Sequence, residues 1–211
     1  MHSPDWSSEI PNDPVYISYL DGAAAYLLEA LTAFEQQNGV GTDARNSLRL
    51  ATCIRATYLA VDRLLKCAVA RVDPALLIRG LNAKVLQLIR QVPVSERGPS
   101  IFTTGVHFET YDADALVGIV RDVVNPQLVS PPSAAVLSEL EELLRWITRW
   151  RNQLEHAELY GHSDEFLARV ERQLGLMLDL ITVLAPEVLD RIRELGQSSG
   201  VATKGYSRPC R

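Results

Sequence analysis

Apolar residues recur along this chain at helical spacing, and prolines and glycines cut the pattern into segments. Asp13-Pro14 reads as an N-cap followed by proline at the first helical position. From there Val15, Tyr19, Ala23, Tyr26, Leu27, Ala30, Leu31 and Phe34 predict one helix, closed by Asn38-Gly39. A longer helix is predicted from Thr42-Asp43 to about Val72, with Leu50, Ile54, Tyr58, Val61, Leu65, Ala68 and Val69 as its apolar stripe. Asp73-Pro74 repeats the cap signal and predicts a third helix through about Val92. Residues 93–111 then lose the pattern. Pro93, Gly98, Pro99, Gly105 and the β-leaning Ile101–Thr104 predict a long loop or a short hairpin.

Helical spacing resumes from about Asp112 to Val124, where Asn125-Pro126 ends it. Ser130-Pro131-Pro132-Ser133 starts a further long helix, predicted to reach about Tyr160 before Gly161. Ser163-Asp164-Glu165 caps the last one, with acidic residues at its positive end. Pro186 is expected to kink or restart that helix, which ends near Gly196. The expectation is one all-α domain, a bundle of about six helices over residues 13–196, with flexible termini at 1–12 and 197–211.

Composition agrees with helix. Apolar residues make up 47% of the 211 and aromatics only 7%, a mix that favours helix over sheet and suffices for one core. The formal charge of −5 argues against a protein that coats nucleic acid by bulk electrostatics, though not against a local site on RNA. Cys53 and Cys67 fall on one predicted helix, roughly 21 Å apart at the rise per residue, too far to bridge. With Cys210 as the third cysteine, a reduced, cytoplasmic protein is the expectation. The polar start Met1–Ile10 does not read as a signal peptide, and no apolar run approaches the roughly 20 residues of a membrane span.

Chemistry gathers near the end of the helix that starts at Ser133, in Arg151-Asn152-Gln153-Leu154-Glu155-His156. An arginine grips phosphate oxygens bidentately, and a histidine moves a proton near neutral pH. Asn152 and His156 are four apart and share a helix face, while Arg151 lies about 100° to one side. Leu137, Leu140, Leu144, Ile147 and Leu154 form the apolar stripe, and Arg151 borders it, four after Ile147 and three before Leu154. An arginine there requires an anionic partner or a wet groove, and a groove between two subunits is one solution. Trp146 and Trp150 line the same boundary and read as packing residues. Arg145 and Arg149 add basic character. Glu139, Glu141, Glu142, Glu155 and Glu158 interleave with them, which is the pattern of a solvated, salt-bridged face.

The Arg151-Asn152…His156 stretch resembles the Arg-x4–6-His signature of the HEPN superfamily, whose common form has a polar residue, often Asn, directly after the Arg. The run from Leu48 to Lys66, with Leu64-Leu65-Lys66 near its end, is similar to the amphipathic second helix of such domains. The resemblance covers roughly residues 13–185, of which only the six-residue motif is specific. It implies an up-down helical core that dimerises through the motif helix, and a metal-independent endoribonuclease that needs no cofactor. Arg151 would hold the scissile phosphate, His156 would act as general acid/base on the ribose 2′-hydroxyl, and Asn152 would orient one of these groups. Arg145, Arg149 and Tyr160 are the candidate substrate contacts. Some family toxins carry a Tyr two residues after the His, where this chain has Glu158. The family also implies an RNA substrate, a homodimer, a role as toxin or antiviral defence effector, and a cognate antitoxin or sensor protein. The alternative is a catalytically silent HEPN-like module that binds nucleotide, RNA or a partner chain.

Other candidates carry less. His156, Glu158 and His162 lack a further ligand pair for a metal, and His107, Glu109, Tyr111 and Asp112 fall in the long loop. No phosphate-binding glycine loop or nucleophile elbow is present.

Overall fold

The computed structural model describes residues 14–36, 44–79, 109–128, 131–156 and 164–199. The protein is all-α. Six α-helices are described: α1 (Pro14–Glu35), α2 (Ala44–Val72), α3 (Ala113–Ile119), α4 (Ala134–His156), α5 (Asp164–Leu184) and α6 (Glu187–Ser199).

Small side chains set how closely the first two helices approach. Ala23, Ala24 and Ala30 of α1 and Ala56 and Ala60 of α2 are buried, between larger fillers such as Leu27 and Ile54. The pair is antiparallel. Arg49, early in α2, donates to the Gln36 carbonyl at the end of α1 (2.5 Å), while Arg63, later in α2, lies over the ring of Tyr19 near the start of α1 (5.4 Å). Beyond this hairpin, α2 packs against α3, α4, α5 and the turn after its own end. Its second half is therefore buried almost all round: Ala60, Val61, Leu64, Leu65, Cys67, Ala68, Val69 and Ala70. Even Asp62 and Lys66 are only 7% and 8% exposed. Four residues apart, they answer each other one turn along the helix, with Lys66 Nζ donating to Asp62 Oδ2 at 2.9 Å.

α2 stops at Val72 as predicted, but no α-helix starts at Asp73-Pro74, where the third one was expected to begin. Asp73 caps only a 3-10 turn, Pro74–Leu77, its side chain accepting from the Ala75 amide at 2.9 Å. At Ile78 the backbone turns extended and bridges Thr110 antiparallel. Arg79 donates to the Glu109 carbonyl at 2.7 Å and Tyr111 to the Leu77 carbonyl at 3.0 Å, which clasps the two stretches together. Leu77 and Ile78 are both buried, Leu77 in the core beside α2, and burying two adjacent residues overrides the local helix signal there. The remainder of that predicted helix, and the predicted loop up to His107 and Phe108, lie outside the described residues, as do 1–13 and 200–211.

The short helix begins where expected, with the Asp112 carboxylate accepting from the Ala115 amide at 3.1 Å. It ends less simply, running through a π turn (Val120–Val124) into a 3-10 turn (Asn125–Gln127). Pro126 has no amide to continue the ladder, and the Gln127 side chain donates to the Val123 carbonyl at 2.8 Å instead. Ser133 caps α4 through its hydroxyl, which accepts from the Val136 amide at 3.3 Å. Pro186 does restart the last helix, between Leu184 and Glu187. The new helix then passes Gly196 to Ser199, so residues 197–199 are helical where a loose tail was expected. Arg71, in the last turn of α2, pairs with Glu187, in the first turn of α6, at 2.7 Å, and each charge suits its own helix end.

Cys53 and Cys67 are both buried and neither is in a disulfide. Burial pushes the Cys53 thiol up from an ordinary 9.0 to about 12, with the Thr57 hydroxyl opposing the shift in part.

Two measurements test this packing. Lys66→Ala strands the Asp62 carboxylate and is expected to cost about 3 kcal/mol in urea unfolding, at the low end for a broken buried pair because Arg63 stays 4.0 Å away. Asp62→Leu combined with Lys66→Met is expected to cost less than Lys66→Ala alone. The Cys53 thiol ionises more readily in the unfolded chain, so its contribution to stability is complete below pH 9.0 and disappears as pH rises towards about 12. Burial raises the hydroxyls of Tyr19 and Tyr58 above 10.0 and adds loss in the same direction. Urea midpoints should therefore fall above about pH 9, and less steeply in Cys53→Ala.

Candidate functional site

The motif residues occupy the last two turns of α4, whose backbone is described to His156. Its apolar stripe is as expected for Leu137, Leu140, Leu144 and Ile147, with Leu143 added, all buried. The side chains of Leu154, Glu155 and His156 fall outside the described ones, as do residues 157–163, which include Glu158, Tyr160 and His162. The placement of Arg151 and Asn152, and of Arg145 and Arg149, is therefore what bears on the site.

Arg151 is half-buried beside the stripe, as the helical register requires. Its guanidinium lies against a ring of α2, with Cζ 4.3 Å from the centroid of Tyr58. From the same guanidinium Nε and Nη2 donate to Asn152 Oδ1, at 3.3 and 3.0 Å. Asn152 is exposed on the neighbouring face. Arg151 and Asn152 thus act as one unit, and the carboxamide fixes which way the guanidinium points.

Tyr58 escaped the functional reading of the sequence, which took it for a core residue of α2. It is half-buried and meets charge from three helices. Burial raises its hydroxyl above the ordinary 10.0, Arg151 lowers it through charge and a hydrogen bond, and Asp62 and Asp114 raise it. Tyr58, Asp62 and Lys66 stand at successive four-residue steps on α2 and so form one column, with Arg151 set on its upper end. No signal in the sequence marks Tyr58, since its place in the apolar stripe reads as core.

Arg145 and Arg149 are exposed and lie on the side of α4 away from Arg151. Arg145 donates to the Glu141 carbonyl of its own helix at 3.3 Å. The glutamates of that face pair with other elements: Glu141 with Arg121, and Glu142 with Arg169 at 3.4 Å. Arg169 also covers Trp146 at 5.3 Å. Trp146 and Trp150 pack with Phe166 of α5, the closest pair being Trp150 and Phe166, edge to face at 4.5 Å. That cluster is structural and joins α4 to α5 beside the motif.

The loop candidates resolve into fold chemistry: Asp112 is a helix cap, Tyr111 packs on the core, and the Glu109 carbonyl belongs to the clasp. Among the described residues no group of three potential metal ligands comes together, and no helix is long and apolar enough to cross a membrane. No family model, curated protein or solved structure matches the chain.

The stacked arginine has a stability signature. Arg151→Ala is expected to cost about 1 kcal/mol through the lost ring contact, while Arg145→Ala and Arg149→Ala stay within about 0.5 kcal/mol of the parent in urea unfolding.

Proposed function

We propose that this chain is a metal-independent endoribonuclease of the HEPN type, acting on RNA as a homodimer. One observation carries the reading. The Arg151 guanidinium is held against Tyr58 on one side and by Asn152 at its edge, little more than one helical turn before His156. A guanidinium bound through its face keeps its donors in the plane, the geometry in which it grips a phosphate.

The chemistry follows from the residue types. Arg151 neutralises the scissile phosphate and the charge that builds on it as the 2′-oxygen attacks. His156 takes the 2′-hydroxyl proton, the phosphorus–O5′ bond breaks, and the equivalent histidine of a second copy protonates the departing 5′-oxygen. The products are a 2′,3′-cyclic phosphate and a 5′-hydroxyl. Two motif helices meeting across a two-fold axis supply both roles, which one motif per chain cannot. Arg145 and Arg149, on the exposed face that carries Asn152, and Tyr160 meet phosphates further along the strand. In this reading the protein is a toxin or an antiviral defence effector, restrained by a cognate antitoxin or sensor.

The same internal hold on Arg151 also suits a silent module that binds RNA, nucleotide or a partner chain without cutting. One assay separates the two. Purified protein incubated with labelled RNA is expected to cleave it equally with and without EDTA, and to lose cleavage in Arg151→Ala and in His156→Ala, both still folded. Cleavage that EDTA abolishes overturns the metal-independent mechanism. RNA bound but left intact by the parent protein establishes the silent module.

A further inference from the structure

We propose that Tyr58 is a positioning residue: from α2 it holds the Arg151 guanidinium in the orientation that meets the scissile phosphate. The proposal rests on the ribonuclease reading and adds to it a residue from outside the motif helix.

Two observations converge on Tyr58. Its ring supports the guanidinium at 4.3 Å, within the range of a cation resting on an aromatic face. The second is the packing of its base, because Tyr58 stands one turn before Asp62, in a helix that packs against four others. A long arginine otherwise spreads over many rotamers, and fixing it in advance removes the entropy that substrate binding would have to supply. A displacement of about 1 Å in such a group is enough to cost a hundredfold in rate. Asn152 sets the guanidinium from its own helix and Tyr58 sets it from across the core, so rotation and tilt are each restrained.

The test is cleavage of a labelled oligoribonucleotide by Tyr58→Phe and Tyr58→Leu, read beside the Arg151 Nε–H resonance in 15N-labelled protein. Tyr58→Phe keeps the stacking ring and is expected to retain kcat within about threefold. Tyr58→Leu removes ring and hydroxyl. It is expected to lose roughly tenfold to a hundredfold in kcat with KM within about twofold, and to move the Nε–H resonance as the ring current disappears. A role confined to packing would lower the urea midpoint and leave kcat of the folded variant unchanged, and that result overturns the proposal. If the parent protein cuts no RNA, the ribonuclease reading fails first. Binding of the same oligoribonucleotide then decides: weaker binding by Tyr58→Leu but not Tyr58→Phe sustains a positioning role, and equal binding by all three ends it.

Discussion

A helix enclosed almost all round has little wet face on which to place a charge. The second half of α2 is in that position, between α1, α3, α4, α5 and the turn after it, and it still carries Asp62 and Lys66. The two are tolerable because each is the other's partner within one helical turn, so no neighbouring helix must supply a counter-charge. The surrounding helices are thereby free to present alanine, leucine and valine to α2. The close α1–α2 approach and the apolar stripe of α4 both depend on this.

That enclosure also explains how a polar motif is held steady at the edge of an apolar core. Arg151 comes from α4, but the surface it rests on belongs to α2, the most enclosed helix of the bundle. The tryptophans do the complementary task on the other flank, locking α4 to α5 through Phe166. The motif helix is pinned on both sides, with its exposed face left to Asn152, Arg145 and Arg149.

Much of this was legible in the residues because helix punctuation is local. Asp112, Ser133 and Pro186 each act on the few residues beside them, and each begins or interrupts a helix where the pattern indicates. Asp73-Pro74 starts a 3-10 turn where an α-helix was expected to begin, because the same cap chemistry serves both. Leu77 ends that turn fully buried in the core, and the backbone is extended at Ile78. The Arg151 register could be read from a helical wheel, since burial beside Ile147 is a property of one helix. Tyr58 could not, because a tyrosine in an apolar stripe looks the same whether its ring faces leucine or a guanidinium. Only the packing of α4 against α2 distinguishes them. The partners of Glu141 and Glu142 were hidden for the same reason: Arg121 and Arg169 lie on other elements.

The clasp between Leu77–Arg79 and Glu109–Tyr111 has a consequence for chain length. Two main-chain hydrogen bonds hold Leu77–Arg79 beside Glu109–Tyr111, so these two stretches stay joined whatever lies between. The entropy of closing a loop grows only logarithmically, by about 0.6 kcal/mol for each doubling of length. A change in the number of residues between Arg79 and Glu109 therefore carries little closure penalty for the six described helices.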